Sequence, residues 1–317
     1  MPYWVIALIV LAVLLLVLLC TMLVCFFMIF FAARSGKKEE YPTPSGAAYA
    51  PHRPQMIAWI KEFREVPHKD VSIRSFDGLT LRGRYYEQKR GAPTEIMFHG
   101  YRGTSERDLC GGVARCFAIG HNALIVDHRA SGESEGHVIT FGVLESRDCL
   151  AWIDFFLREI DPDARLILTG ISMGAATVMI AATQPLPPNV KAILADCGYT
   201  SARDIIKKVM RDMHLPAGLL YPIARLSARV LGGFDPDALS PIASMKKCKL
   251  PVIFAHGDAD GFVPLSMSEE NYAACTAAHK KLAVIPGAGH GLAFPVGREL
   301  YLAHLREFFA PIFNENT

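Results

Sequence analysis

Residues 4–33 are apolar almost without a break, interrupted only by Cys20, Thr21 and Cys25. Such a run exceeds the ~20 residues that cross the ~30 Å hydrocarbon of a bilayer, so it predicts one transmembrane helix with length to spare for tilt. Tyr3 and Trp4 suit an interfacial anchor at one end, and Arg34, Lys37 and Lys38 mark the return to water at the other. A cleaved signal peptide fits less well: it needs a basic start and a core of only ~7–15 apolar residues, whereas no Lys or Arg precedes this run. Because the basic residues lie on its carboxyl side, the positive-inside bias predicts a cytoplasmic position for the rest of the chain.

Past this run the pattern changes. Residues 41–54 hold Pro42, Pro44, Pro51 and Pro54 among Gly and Ser, the composition of an extended linker. The boundaries predict an anchor over 1–34, a linker over 35–55 and a domain over 56–317, with residues 35–317 expected to fold and work once residues 1–33 are removed. Segments 70–75 and 79–86 alternate and meet through Asp77-Gly78, a hairpin signal. Short apolar runs follow at 94–98, 123–126, 166–169, 192–195, 252–255 and 282–285, with helix-period stretches at 105–119, 143–160, 172–183, 267–280 and 298–309. Runs apolar on both faces are what a parallel sheet covered by helices requires. The prediction is an α/β fold with a mostly parallel sheet of about eight strands. Residues 199–249 break the alternation as a helix-rich insertion leaving a strand end, where ligands bind in such sheets. Its apolar side chains suggest the roof of a pocket and an acyl channel.

Charge adds exclusions. Lys and Arg number 33 against 31 Asp and Glu, with no basic block, so the electrostatic footprint of a nucleic-acid binder is missing. With 51% of residues hydrophobic and 20% charged, a disordered chain is excluded as well. Cys110, Cys116, Cys149, Cys197, Cys248 and Cys275 are scattered singly, as reduced thiols in a large core are. No metal-ligand spacing appears, and no cofactor is implied.

The chemistry lies at strand ends. The run 166–169 leads straight into Gly170-Ile171-Ser172-Met173-Gly174. Gly-x-Ser-x-Gly at a strand-to-helix turn is a nucleophile elbow, in which small residues relieve the strain of holding a hydroxyl exposed; the plainer reading of Ser172 is a helix cap. A hydroxyl needs a base. His290, in Gly287-Ala288-Gly289-His290-Gly291 after the last strand, is the best placed of the 11 histidines. The carboxylate that orients it should follow the preceding strand, where Asp258 and Asp260 are both available. Two N–H donors for an oxyanion are expected from Met173, after the nucleophile, and from Tyr101 in His99-Gly100-Tyr101-Arg102-Gly103.

These motifs, with Asp127-His128-Arg129-Ala130-Ser131-Gly132-Glu133-Ser134 and His256-Gly257-x-x-Asp260-x-x-Val263-Pro264, resemble the α/β-hydrolase superfamily, and within it the membrane-anchored Bem46-like proteins. The resemblance implies the α/β-hydrolase fold over roughly 71–309 and selects Asp260 as the triad acid. Ala130-Ser131 departs from the Gly-His or Gly-Tyr pair more usual there. Together these readings predict a membrane-anchored serine hydrolase with Ser172, Asp260 and His290 as its triad, acting on small-molecule or lipid-like carboxylic esters or thioesters. A peptidase of the prolyl-oligopeptidase kind would need an extra domain, and an idle scaffold would be expected to lack a triad member.

Overall fold

The computed structural model describes residues 1–33 and 39–313. Arg34, Lys37 and Lys38, on which the expected orientation rests, lie outside them. The strands are β1 (Lys69–Arg74), β2 (Thr80–Tyr86), β3 (Thr94–Phe98), β4 (Asn122–Val126), β5 (Leu166–Ile171), β6 (Val190–Asp196), β7 (Val252–Gly257) and β8 (Lys280–Ile285). They form one sheet in the order β1-β2-β4-β3-β5-β6-β7-β8. β1, β2 and β4 pair antiparallel and the remaining pairs are parallel.

Alternation along each inner strand feeds two cores. Met97, Ile125, Ile167 and Ile253 face one side, where α2 (Arg53–Glu65), α3 (Ser105–Ala118), α10 (Ala293–Val296) and α11 (Arg298–Phe313) cover them. Ile96, Phe98, Leu166, Leu168 and Phe254 face the other, under α4 (Glu145–Glu159), α5 (Met173–Ala181), α8 (Pro241–Met245) and α9 (Leu265–Ala274). Burial on both faces is why these strands read as short apolar runs. The helix expected over 267–280 stops at Ala274, because Lys280 opens β8 and pairs with Val252 of β7.

The proline-rich segment is not a free linker over its described part. Tyr41 lies beneath the cations of Lys61 and Arg64, and Arg64 Nη2 donates to the Glu40 carbonyl at 2.6 Å. The folded domain therefore begins before residue 56. α2 starts at Arg53 with Pro54 in its first turn, and buries Met56, Trp59, Ile60 and Phe63. Gly111 leaves room for it: a Cβ there would stand 2.8 Å from the Trp59 ring.

A third apolar cluster joins the N-terminal helix to the helix-rich insertion. α1 (Tyr3–Ile29) is exposed over most of its length but buries Met22, Cys25 and Phe26 near its end. Of these, Cys25 and Phe26 pack with Phe30, Phe141, Tyr199 and Met173, and with residues of α6 (Ala202–Asp212) and α7 (Ala217–Leu231). Phe30 is 0% exposed, edge-on to Phe141 and Phe234 at 5.9 and 5.4 Å. Beside it Ile139 N–H donates to the Phe30 carbonyl and Ala32 N–H to the His137 carbonyl, both at 2.8 Å. The expectation that the domain stands clear of residues 1–33 thus meets a packed seam. Replacing a buried Phe by Ala costs ~3–5 kcal/mol, so Phe30→Ala should lower the unfolding free energy of the domain by that amount and its denaturant midpoint accordingly. An unchanged midpoint would mean that the anchor's end is only loosely seated.

Candidate active site

Two glycines set the elbow between β5 and α5. A Cβ on Gly170 would fall 2.1 Å from the Gly174 carbonyl, and one on Gly174 would fall 2.0 Å from the Phe98 carbonyl of β3. With both absent the chain turns sharply and Ser172 adopts φ 56° and ψ −112°, outside ordinary helix or strand conformation. Its N–H donates to the Asp196 carbonyl at 2.8 Å, locking the turn to β6.

Ser172 Oγ lies 3.0 Å from His290 Nε2, and His290 Nδ1 lies 2.7 Å from Asp260 Oδ2. The arrangement lets the hydroxyl donate to Nε2 while Nδ1–H donates to the carboxylate. Asp260 Oδ1 accepts the N–H groups of Phe262 and Val263, each at 2.9 Å. Asp258 sits elsewhere: its Oδ1 accepts the Gly287 N–H at 2.6 Å and ties the two loops together. Of the two aspartates that spacing leaves open, Asp260 is hydrogen-bonded to His290, and Asp258 bonds the Gly287 N–H instead.

His256 enters the sequence reading only as part of the motif around Asp260, with no role of its own. It is fully buried, with Nε2 2.9 Å from the Val263 carbonyl and 3.2 Å from Asp260 Oδ2, while Nδ1 meets Ser268 Oγ at 2.7 Å. Burial pushes the Asp260 pKa up most strongly, but hydrogen bonds from His256, His290 and the Val263 N–H together hold the carboxyl well below its usual range. Cys197 is the other hidden neighbour. Its Sγ, an Asp260 oxygen and a His290 nitrogen lie within 4.8 Å of one another. Burial, then the charges of Asp196 and Asp260, push this thiol far up. A protonated thiol and an occupied Asp–His bond are poor metal ligands.

The loop that carries the expected donor Tyr101 lies against this turn. Gly100 brings its loop against Ser172, since a Cβ there would lie 3.5 Å from Ser172 Cβ. Among the described residues, no backbone carbonyl accepts from Tyr101 N–H or Met173 N–H. His99 is a brace. Nδ1 contacts the Gly100 carbonyl at 2.7 Å and Nε2 accepts the His128 N–H at 3.0 Å, and burial lowers its pKa. The Tyr101 hydroxyl donates to the Ile29 carbonyl of α1 at 2.7 Å, and Arg102 Nη2 donates to the Met28 and Phe31 carbonyls, both at 2.9 Å. The free carbonyls at the end of the anchor are thus capped by the loop that carries Tyr101, as a cation suits a helix C-terminus.

The roof divides. Ile205, Ile206, Met210 and Tyr221 are buried in the cluster that contains Met173, whereas Met213, Leu215, Leu219, Leu226, Val230 and Leu231 are exposed.

The Asp260 carboxyl has a folded value below its unfolded one. Its contribution to stability is therefore fully present above ~pH 4 and is lost as pH falls through the folded value. The gap in Tm between the wild type and Asp260→Asn should be widest near neutrality and should narrow as melts are repeated below ~pH 4. A gap that stays constant into acid would show that the carboxylate is not held charged by this network.

The sequence profile of the alpha/beta hydrolase fold matches residues 96–240. Protein bem46 of Schizosaccharomyces pombe is 26% identical over 262 residues, 80% of this chain and 76% of its own length. The uncharacterized protein YqkD of Bacillus subtilis is 27% identical over 191 residues, which span 60% of this chain and 62% of YqkD, less than two thirds of it. The solved esterase Pf2001 of Pyrococcus furiosus superposes with a TM-score of 0.66 at 21% identity, covering 87% of this chain and 99% of that one. Fold, profile and relatives agree: the chain has the α/β-hydrolase fold and resembles the Bem46-like proteins.

Proposed function

We propose that the protein is a membrane-anchored serine hydrolase that cleaves carboxylic esters or thioesters through an acyl-enzyme at Ser172, with the hydrolase domain on the cytoplasmic side. The observation that carries this reading is the unbroken hydrogen-bonded line from Ser172 Oγ through His290 to Asp260. His290 Nε2 takes the proton as Ser172 Oγ attacks the substrate carbonyl carbon. The oxygen that becomes negative is met by the Tyr101 and Met173 N–H groups. His290 then returns the proton to the leaving alcohol or thiol, and water repeats the sequence to release the acid. Asp260 fixes the imidazole tautomer and stabilises the imidazolium.

A fluorophosphonate probe should label the wild type and fail on Ser172→Ala. Asp260→Asn should lower kcat by about 10⁴, as a triad aspartate-to-asparagine change does in serine proteases; Asp258→Asn, at a turn contact, should have a mild effect. The reverse ranking, or labelling that survives Ser172→Ala, would overturn the assignment. Turnover of p-nitrophenyl esters of graded chain length, beside an acyl thioester and a peptide amide, separates esterase from peptidase. A rise from acetate to octanoate would indicate an acyl site built on the roof cluster.

A further inference from the structure

α1 is longer than a bilayer requires, and its surplus is the part that the roof holds. Its 27 residues extend ~40 Å at ~1.5 Å per residue, about 10 Å beyond the ~30 Å of hydrocarbon. Of the buried residues of α1, Cys25 and Phe26 lie in this surplus at its carboxyl end and Met22 at its edge. α7 lies directly against α1, and Ala224 and Ala228, both fully buried in the shared cluster, let the two helices approach closely. α7 is therefore held at the level where the span leaves lipid.

The opposite face of α7 is apolar and uncovered. Leu219 and Val230 are 66% and 64% exposed, and Leu226 lies between them. Positions 219, 226 and 230 recur at i, i+7 and i+11, a single stripe of a helix. Half-buried Ile223 continues the stripe, and Met213 and Leu215 in the turn before α7 extend the exposed apolar surface. An apolar stripe of this kind suits the boundary between headgroups and acyl chains.

We propose that the α7 stripe docks into the surface of the same bilayer that α1 enters, so that the roof is a second membrane contact and the Ser172 site is held at the leaflet. The partner is the leaflet itself, because α7 packs on α1 at the end of the span and its outward stripe is apolar and exposed. The proposal rests on reading α1 as a membrane span.

The test uses the full chain in phospholipid vesicles. With the exposed Cys20 changed to Ser, nitroxide labels are placed at Leu219→Cys, Val230→Cys, Leu14→Cys in the span and Glu159→Cys on α4, and collisions with oxygen and with a water-soluble nickel chelate are compared. Fluorophosphonate labelling of each variant checks that it is folded. Labels at 219 and 230 should resemble 14, with an oxygen-to-nickel ratio several-fold above that at 159. If 14 is in lipid while 219 and 230 match 159, the docking is overturned and the span stands. If 14 itself is in water, the span reading falls and the proposal with it. Dipolar broadening at 230 that vanishes on dilution with unlabelled protein would assign the stripe to a second copy and also overturn the proposal.

Discussion

The site depends on how closely α5 can approach the end of β3. Gly174 lies where any side chain would strike the Phe98 carbonyl, so the turn holding Ser172, the strand feeding the Tyr101 loop and the first turn of α5 are one packed unit. Ser172 keeps a backbone conformation that costs ~1–3 kcal/mol. It persists because β3, β6 and α5 each constrain the turn independently. A hydroxyl fixed in this way meets His290 without first losing the entropy of finding it.

Around this turn the polar groups at the strand ends satisfy one another. The run 127–134, a signature in the sequence, carries none of the proposed chemistry. Asp127 Oδ1 accepts the Ser105 N–H at 2.7 Å and its Oδ2 the Glu133 N–H at 2.9 Å, while the His128 N–H holds His99. Arg129 forks onto Asp148, with Nε and Nη2 both at 2.7 Å. The loop after β4 therefore braces the loop after β3, and its residue types are dictated by buried hydrogen bonding. Ala130, at φ 62°, occupies the left-handed conformation that glycine takes most easily. The departure from the usual Gly is thus a local backbone strain, away from Ser172.

The strands were legible because a parallel sheet buried on both faces writes itself as apolar runs, and all eight fall within two residues of the expected bounds. The proposed triad was legible as an order of motifs, although Asp258 and Asp260 could be ranked from the sequence only by resemblance, because two aspartates in one turn have no distinguishing period. Cys197 could not be placed against Asp260, since nothing local reports what lies on a neighbouring strand, and the four-residue step from His256 to Asp260 does not by itself say that the two side chains meet. The end of the anchor was the least legible. Phe26 and Phe30 read alike whether they face lipid or Phe141 and Phe234, for hydrocarbon and a protein core demand the same side chains.

That hidden contact changes what α1 does in the proposed anchoring. A flexible tether confers proximity to a membrane and leaves orientation free. Here Arg102, at φ 52°, grips the last carbonyls of α1 while the neighbouring Tyr101 presents the proposed oxyanion donor through its backbone and bonds Ile29 through its hydroxyl. One residue therefore faces both the span and the site. Reacting groups must be held to within ~0.5 Å to be productive, so the seating of α1 and the placement of that N–H are coupled through a single loop. α1 thereby supports the proposed site directly.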